Sequence, residues 1–398
     1  MDSSRKKKLF IIGASQLQLP AIKKAKELGF YTAVADYNPE AVGIKYADEF
    51  FNVSTIDEKG ICEAVKIFEA DGIMTLATDM PMRSVAYTCE KLGLNGISYE
   101  TAVKATDKGE MIKAFSENDV SHPWFFIAEN EEEVNKIKDS IVYPCITKPT
   151  DNAGSRGVML VQKEEDIEKA FCYSSENGRS GSVIIEEYMQ GSEVSVEIIV
   201  TNGNVHVLQV TDKLTTGAPH FVEMGHSQPS RLSDDEVNSI KLLAEKAVKA
   251  VGISDGPAHV EIMLTKDGPK MVELGARMGG DCITTHLVPL STGIDMIKAT
   301  IDVACGINPD ITKKFEKGSA IRYLSVPSGV IRSIEGVDEA LRIDGVKEIT
   351  IAKNVGDTVG KIGSSVDRAG FVIAQADTAE EAVAICEKVL ETVKISVR

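Results

Sequence analysis

The chain has 398 residues, 43% apolar and 26% charged, which is ordinary for a folded protein and long enough for two to three domains. That balance excludes a disordered chain, a collagen-like fibre and a membrane protein. With 60 acidic residues against 44 basic ones the net charge is -16, which argues against a polynucleotide partner but not against small anions held by local lysines or helix N-termini.

The opening MDSSRKKKLFIIGA places basic residues before apolar ones, as a signal peptide does. Its apolar run is short and polar Ser15, Gln16 and Gln18 follow, so a first strand explains it better. No segment approaches the ~20 apolar residues that cross a bilayer. The seven cysteines are scattered without a Cys-x-x-Cys pair, a usage that fits a reducing, cytoplasmic setting rather than disulfides or zinc.

From the start, strand signals at 9–13, 31–35 and 72–76 alternate with helical spacing at 20–28, 61–68 and 85–92, which predicts a parallel sheet covered by helices. Gly13 and Asp36 end the first two strands and invite a dinucleotide-binding reading, but the second and third glycines of that fingerprint are missing. Helix-forming 106–118 comes next, then a strand at 124–127, a charged helix at 131–141, and strands at 145–148 and 158–161 as an antiparallel pair. Strands follow at 183–187 and 193–201, a hairpin turn at Asn202-Gly203-Asn204, a long amphipathic helix at 234–251, and strands at 258–264 and 270–274. From about Gly318 short strands and a helix at 379–393 predict a small α+β unit.

Three segments carry chemistry. Lys148 precedes the small-residue loop Thr150-Asp151-Asn152-Ala153-Gly154-Ser155-Arg156-Gly157, whose backbone N–H groups suit phosphate oxygens; an exposed turn with a solvated lysine serves as the plain alternative. In IIEEYMQGSE an apolar strand delivers Glu186 and Glu187, then Tyr188 and Met189, and Glu193 after a turn; this suits adenosine, a surface hairpin being the alternative. In HVEIMLTKDGPKMVELGARMGGD, Glu261 and Glu273 lie on two strands joined by a turn and can face one side. Like charges so placed call for a cation between them, and hard oxygen ligands suit magnesium. Arg277 lies four residues beyond Glu273, in reach of a reacting phosphate.

Together, Asp107-Lys108 opening a helix, TKPTDNAGSRGV, EEYMQGSE, and Glu261 with ELGARMGG resemble the ATP-grasp superfamily of carboxylate–amine and carboxylate–thiol ligases, over essentially the whole chain. The resemblance implies an α/β (α+β) chain: a Rossmann-like preATP-grasp domain at 1–104, an ATP-grasp domain at 105–310 with a lid at about 120–190, and a C-terminal α+β domain at 311–398. It implies ATP and Mg2+ (Mn2+ substituting) as cofactors. Lys108 and Lys148 would hold ATP phosphates under a loop carrying Gly154, Ser155 and Gly157. Glu186 and the backbone of Glu187, Tyr188 and Met189 would bind adenine, and Glu193 the ribose. Glu261 and Glu273 would bind metal, and Arg277 would be catalytic. One departure is Gly275, where many members carry an asparagine ligand of a second magnesium.

The expected reaction makes an acyl phosphate and ADP, after which an amine displaces phosphate. Residues 213–231 with GARMGGD look most like L-amino-acid ligases, and Glu223 and His226 there are candidate substrate groups, a loop histidine being the plain reading of His226. His259 should share the strand face of Glu261. The alternative is a purine-pathway ligase such as phosphoribosylglycinamide synthetase, which needs a phosphate pocket that the glycine-poor loop 13–18 does not favour. The substrates would be small molecules, with no membrane or nucleic acid partner; related ligases often pair as homodimers.

Overall fold

The computed structural model describes residues 5–152, 154, 156–218 and 221–398, so the Ser155 assignment lies outside the described residues. Strands β1 (Lys8–Ile12), β2 (Tyr31–Ala35), β3 (Glu49–Phe51) and β4 (Gly72–Met74) form a parallel sheet in the order β3-β2-β1-β4. Helices α1 (Leu19–Glu27), α2 (Glu58–Phe68) and α3 (Met82–Leu92) connect and cover it. In α2 the spacing of Ile61, Ala64, Val65 and Phe68 puts one apolar stripe against the sheet, and the Asp57 carboxylate caps its start by accepting from Gly60 N.

The helix expected at 106–118 is α5 (Lys108–Glu117), and a helix that was not expected, α4 (Tyr99–Thr106), runs directly into it. Asp107 is extended and its carboxylate accepts from the amides of Gly109 and Glu110, so a strong N-cap breaks the run and makes Lys108 the first residue of α5. A second, antiparallel sheet follows in the order β5-β8-β6-β7, from β5 (Phe125–Ala128), β6 (Cys145–Pro149), β7 (Met159–Val161) and β8 (Val183–Glu187), packed on α6 (Glu131–Ile137) and α7 (Ile167–Glu176).

The largest sheet has eight strands in the order β13-β12-β9-β10-β11-β14-β18-β16. Its first part is β9 (Gly191–Thr201), β10 (Asn204–Thr215), β11 (Glu223–Gln228), β12 (Gly256–Thr265) and β13 (Gly268–Gly275). Helix α8 (Asp234–Val251) runs along it, and α9 (Val288–Thr292) and α10 (Met296–Ala304) follow. The C-terminal strands β14 (Gly318–Leu324), β16 (Val346–Ile351) and β18 (Gly370–Ala376) extend the same sheet through the β11–β14 pairing. The last part also holds β15 (Gly329–Glu335), β17 (Thr358–Val359) and β19 (Lys394–Val397) in a three-stranded sheet, with α11 (Val337–Ala340) and α12 (Ala379–Thr392).

Strand β11 was not legible as one. Its sequence EMGHSQ has no β-branched residue, and pairing with β10 on one side and β14 on the other imposes the extended form.

Candidate functional site

The site is built on one face of the large sheet. Strand register places Glu261 directly opposite Glu273 on β13 and opposite Ser195 on β9, and Met263 opposite Glu193. The alternation of strands therefore brings Glu193, Glu261 and Glu273 to the same face. His259, two residues before Glu261, shares that face as expected: its Nδ1 lies 3.0 Å from the fully buried Glu197 and its Nε2 3.5 Å from Glu261.

Two lysines neutralise these carboxylates. Lys213 Nζ lies 2.6 Å from Glu193, 2.8 Å from Glu261 and 3.5 Å from Glu223. Lys108 Nζ is 2.9 Å from Glu273 and donates to Asn152 O at 2.9 Å. Burial works against charge on both lysines, but the surrounding carboxylates outweigh it and hold both ammonium groups above their usual range. Burial likewise opposes ionisation of Glu261, and Lys213 and His259 more than offset it, holding that carboxyl well below its ordinary value.

The smaller antiparallel sheet supplies the opposite wall. Lys148 Nζ on β6 meets Glu186 Oε1 on β8 at 2.6 Å, with only 8% of either side chain exposed. Glu187 pairs with Lys270 of β13 at 2.7 Å, and its amide donates to Trp124 O. Gly157 has φ +79°, and a Cβ there would lie 2.7 Å from Asn177 Cβ and 2.9 Å from Pro149 Cγ, so this turn needs glycine for packing as well as for backbone conformation.

A cavity of about 280 Å³ lies between the two sheets. Lys108, Lys148, Gly154 and Glu186 line it, as do Glu187, Tyr188, Met189 and Glu193. So do Glu223, Glu261, Glu273 and Arg277. Gly157 and His226 do not. A second cavity of about 540 Å³, towards the N-terminal sheet, shares Asp79, Lys108, Glu273 and Arg277 with the first, so the two meet there.

Arg277 is held at that junction by Asp79, from the segment after β4: Nε lies 2.9 Å from Oδ1, and Nη2 donates to Oδ2 at 3.1 Å. This pair explains Gly275. A Cβ at 275 would lie 2.7 Å from Asp79 Oδ1 and 3.0 Å from Arg277 Cζ, so the space that a side chain would need is taken by the ion pair.

Three residues apart on a regular strand, Glu223 and His226 would point to opposite faces. A bulge corrects this: Glu223 pairs with Thr215 and His226 with Lys213, and the register shifts between Leu214 and Thr215. Both therefore lie on the Lys213 face. His226 is nonetheless buried and does not line the cavity, its Nε2 lying 3.6 Å from Asp281 Oδ2. It is a strand residue rather than a loop histidine. Asp281 is gripped by the two Nη atoms of Arg368, at 2.7 and 2.9 Å, and Arg368 also donates to Glu223 O and stacks on Tyr323. Burial would raise the Asp281 pKa, but His226 and Arg368 reverse that and hold it below its usual value.

Sequence reasoning missed Asp79 and Lys213 as members of the site, and Arg368 behind it. Asp79 follows the C-terminal end of a parallel strand, a place where sites form in open α/β sheets, and that signal was available. Nothing local marks Lys213 or Arg368.

The loop 13–18 is filled by its own side chains. Gln18 Oε1 accepts from Ser15 N and Oγ, Gln18 Nε2 donates to Leu76 O, and Asp36 accepts from the Ala14 and Asn38 amides. Its groups are engaged in holding the turn, consistent with the missing dinucleotide fingerprint.

This architecture, two sheets enclosing a cavity lined by lysines and cross-strand carboxylates, is that of an ATP-grasp protein. Residues 141–285 match the ATP-grasp domain model, and residues 322–398 match L-amino acid ligase C-terminal domain 2. The alanine–anticapsin ligase of Bacillus subtilis is 27% identical over 328 residues, 75% of this chain and 68% of that protein. The L-amino acid ligase structure from Bacillus licheniformis superposes with a TM-score of 0.86 at 22% identity, covering 100% of both chains. The phosphoribosylglycinamide synthetase structure from Anaerococcus prevotii gives 0.81 at 26% identity, covering 99% of this chain and 100% of that one. Residues 141–285 are an ATP-grasp domain, and the chain is an enzyme that uses ATP to form a C–N bond. Among the described residues no helix is long and apolar enough to cross a membrane.

Proposed function

We propose that this ligase activates a carboxylate as an acyl phosphate and couples it to an amine, with amino acids as its substrates. The observation that carries this reading is the meeting of two cavities at Lys108, Glu273 and Arg277. One has the lysines and carboxylates that suit a nucleotide, and the other gives a second substrate access to its phosphate end. The names of two of its relatives, alanine–anticapsin ligase and L-amino acid ligase, support amino acids as the class. The purine-ligase alternative gains no support from the first loop, whose residues line neither cavity.

In this reading Lys108 and Lys148 hold the ATP phosphates beneath the segment carrying Gly154 and Gly157. Glu186 and the 187–189 backbone take the adenine, and Glu193 the ribose hydroxyls. Glu261 and Glu273 fit a magnesium ion by the chemistry of the pair: two carboxylates opposed across a ladder, each already drawing a lysine cation. Among the described residues no three His, Cys, Asp or Glu side chains gather as a metal site, so phosphate oxygens and waters would complete the shell. The metal, when bound, supplies charge neutralisation for the triphosphate.

A substrate carboxylate oxygen then attacks the γ-phosphorus and ADP leaves. The amine nitrogen attacks the acyl carbon, the C–O bond to phosphate breaks, and the amine loses a proton. Arg277, fixed by Asp79, stabilises negative charge on the phosphoryl group and then on the tetrahedral intermediate. Glu223, on the cavity wall, holds the incoming ammonium and takes one proton to free the amine for attack, and the proton lost after attack leaves with the phosphate. The domain division at 1–104, 105–310 and 311–398 belongs to the same proposal.

The test is phosphate release from ATP and magnesium with pools of amino acids, then with purine intermediates. Release that needs two amino acids supports the reading. Release only with phosphoribosylamine and glycine, or with aminoimidazole ribotide and bicarbonate, replaces it.

A further inference from the structure

Charge along the wall of the larger cavity is unevenly matched. Four carboxylates line it, and each is engaged. Glu58 accepts from Tyr99 OH at 2.8 Å, and Asp79 holds Arg277. Asp151 accepts from the amides of Arg179 and Ser180, and Glu273 holds Lys108. The cations are not all engaged in return. Arg83, half-buried on α3, uses Nε to donate to Thr106 Oγ1 at 2.8 Å, and Thr106 Oγ1 is itself anchored on Ala102 O. Among the described residues neither Arg83 nor Arg179 has a carboxylate within ion-pair distance, although the chain carries 60 acidic residues. A guanidinium oriented by a neutral hydroxyl and left without a counter-ion beside a cavity is a ready anion site, because its fork of donors matches a carboxylate.

We infer that the carboxylate substrate carries two anionic groups: one carboxylate reaches the junction at Arg277 and Glu273 for phosphorylation, and a second anionic group is held at the far wall by Arg83, with Arg179 adding to the field. The inference rests on the ligase reading for the first half of that sentence. The cavity, at about 540 Å³, has room for a dicarboxylate of a few carbons beside the nucleotide end. The apolar part of its wall, Ile56, Met80 and Met111, lies against the linking carbons. The same arrangement discriminates against an isosteric amide, which would leave the guanidinium facing a neutral group.

The experiment titrates the full chain calorimetrically with L-glutamate, L-aspartate and glutarate, and with the matched amides L-glutamine and L-asparagine, each with and without MgADP. At least one of the two amino dicarboxylates should bind about ten- to a hundredfold tighter than its amide. Arg83→Gln should lower affinity for that dicarboxylate by a similar factor and erase most of the preference, and Arg83→Lys should restore part of it. Arg179→Gln should have a smaller effect in the same direction. Equal binding of acid and amide, a preference that survives Arg83→Gln, or no binding by any dicarboxylate overturns the inference. Failure of MgADP to bind would sink the ligase reading instead, while the titrations without nucleotide still decide whether the cavity prefers a dicarboxylate.

Discussion

Arg277 owes its place to two neighbours that do no chemistry themselves: Asp79, which holds its guanidinium, and Gly275, which leaves room for that pair. Arg277→Ala should lower turnover by about a thousandfold while nucleotide affinity changes only a few-fold, since the arginine acts on charge that develops in transfer. Glu273→Gln should abolish turnover as well. Phosphate-release kinetics beside a nucleotide titration checks both, and a fully active Arg277→Ala enzyme would remove the catalytic assignment. Residue-scale burial also governs the thiols. Burial pushes Cys89, Cys145, Cys282, Cys305 and Cys386 up to about 12, so few of them are thiolates at neutral pH. Alkylation with iodoacetamide at pH 8, read by mass spectrometry, should leave these five unmodified in the folded protein and label all of them after denaturation.

At the scale of elements, local sequence and tertiary pairing divide the work. Helix α8 is locally specified: Ser233 and Glu236 form a reciprocal capping box, Gly252 ends it in the left-handed region, and Ile240, Leu243, Ala244, Ala247, Val248 and Val251 make its buried stripe. Ser233→Ala should cost about 1 kcal/mol in urea unfolding without altering turnover, because it removes only helix-terminus hydrogen bonds and Ser233 lines neither cavity. Strand β11 is the opposite case. Its bulge decides which face Glu223 and His226 share, and the bulge exists only in the pairing with β10. Gly225 in the same strand admits Arg322, whose Cδ and Nη1 would lie 2.7 Å from a Cβ there.

Across the whole molecule, the C-terminal strands continue the sheet that carries the site, and Arg368 joins that region to Asp281 and the backbone of Glu223. The Asp281 carboxyl is held below its ordinary value when folded, so its contribution is present above its unfolded pKa of about 3.9 and is lost as pH falls through and below that value. Asp281→Asn should therefore cost about 2 kcal/mol at neutral pH and flatten the loss of stability below pH 4. Urea unfolding at pH 7, 5 and 3.5 checks it. An unchanged acid slope would mean that the pair carries no linkage.

Much of this protein was legible in one dimension. Apolar spacing located three of the four strands and the three helices α1 to α3 of the N-terminal sheet, missing the short β3, and it located the helix at Asp234–Val251, because period and capping are local properties. The glutamates at 261 and 273 could be placed on one face from their turn alone, and they are cross-strand partners. What the chain could not state locally is which distant charges meet. Asp79 reaches Arg277 across 198 residues, and Lys213 reaches Glu261 across 48. The first pairing depends on how the N-terminal sheet meets the large one, and the second on the strand order β12-β9-β10 within the large sheet; neither is set by a residue's neighbours in sequence.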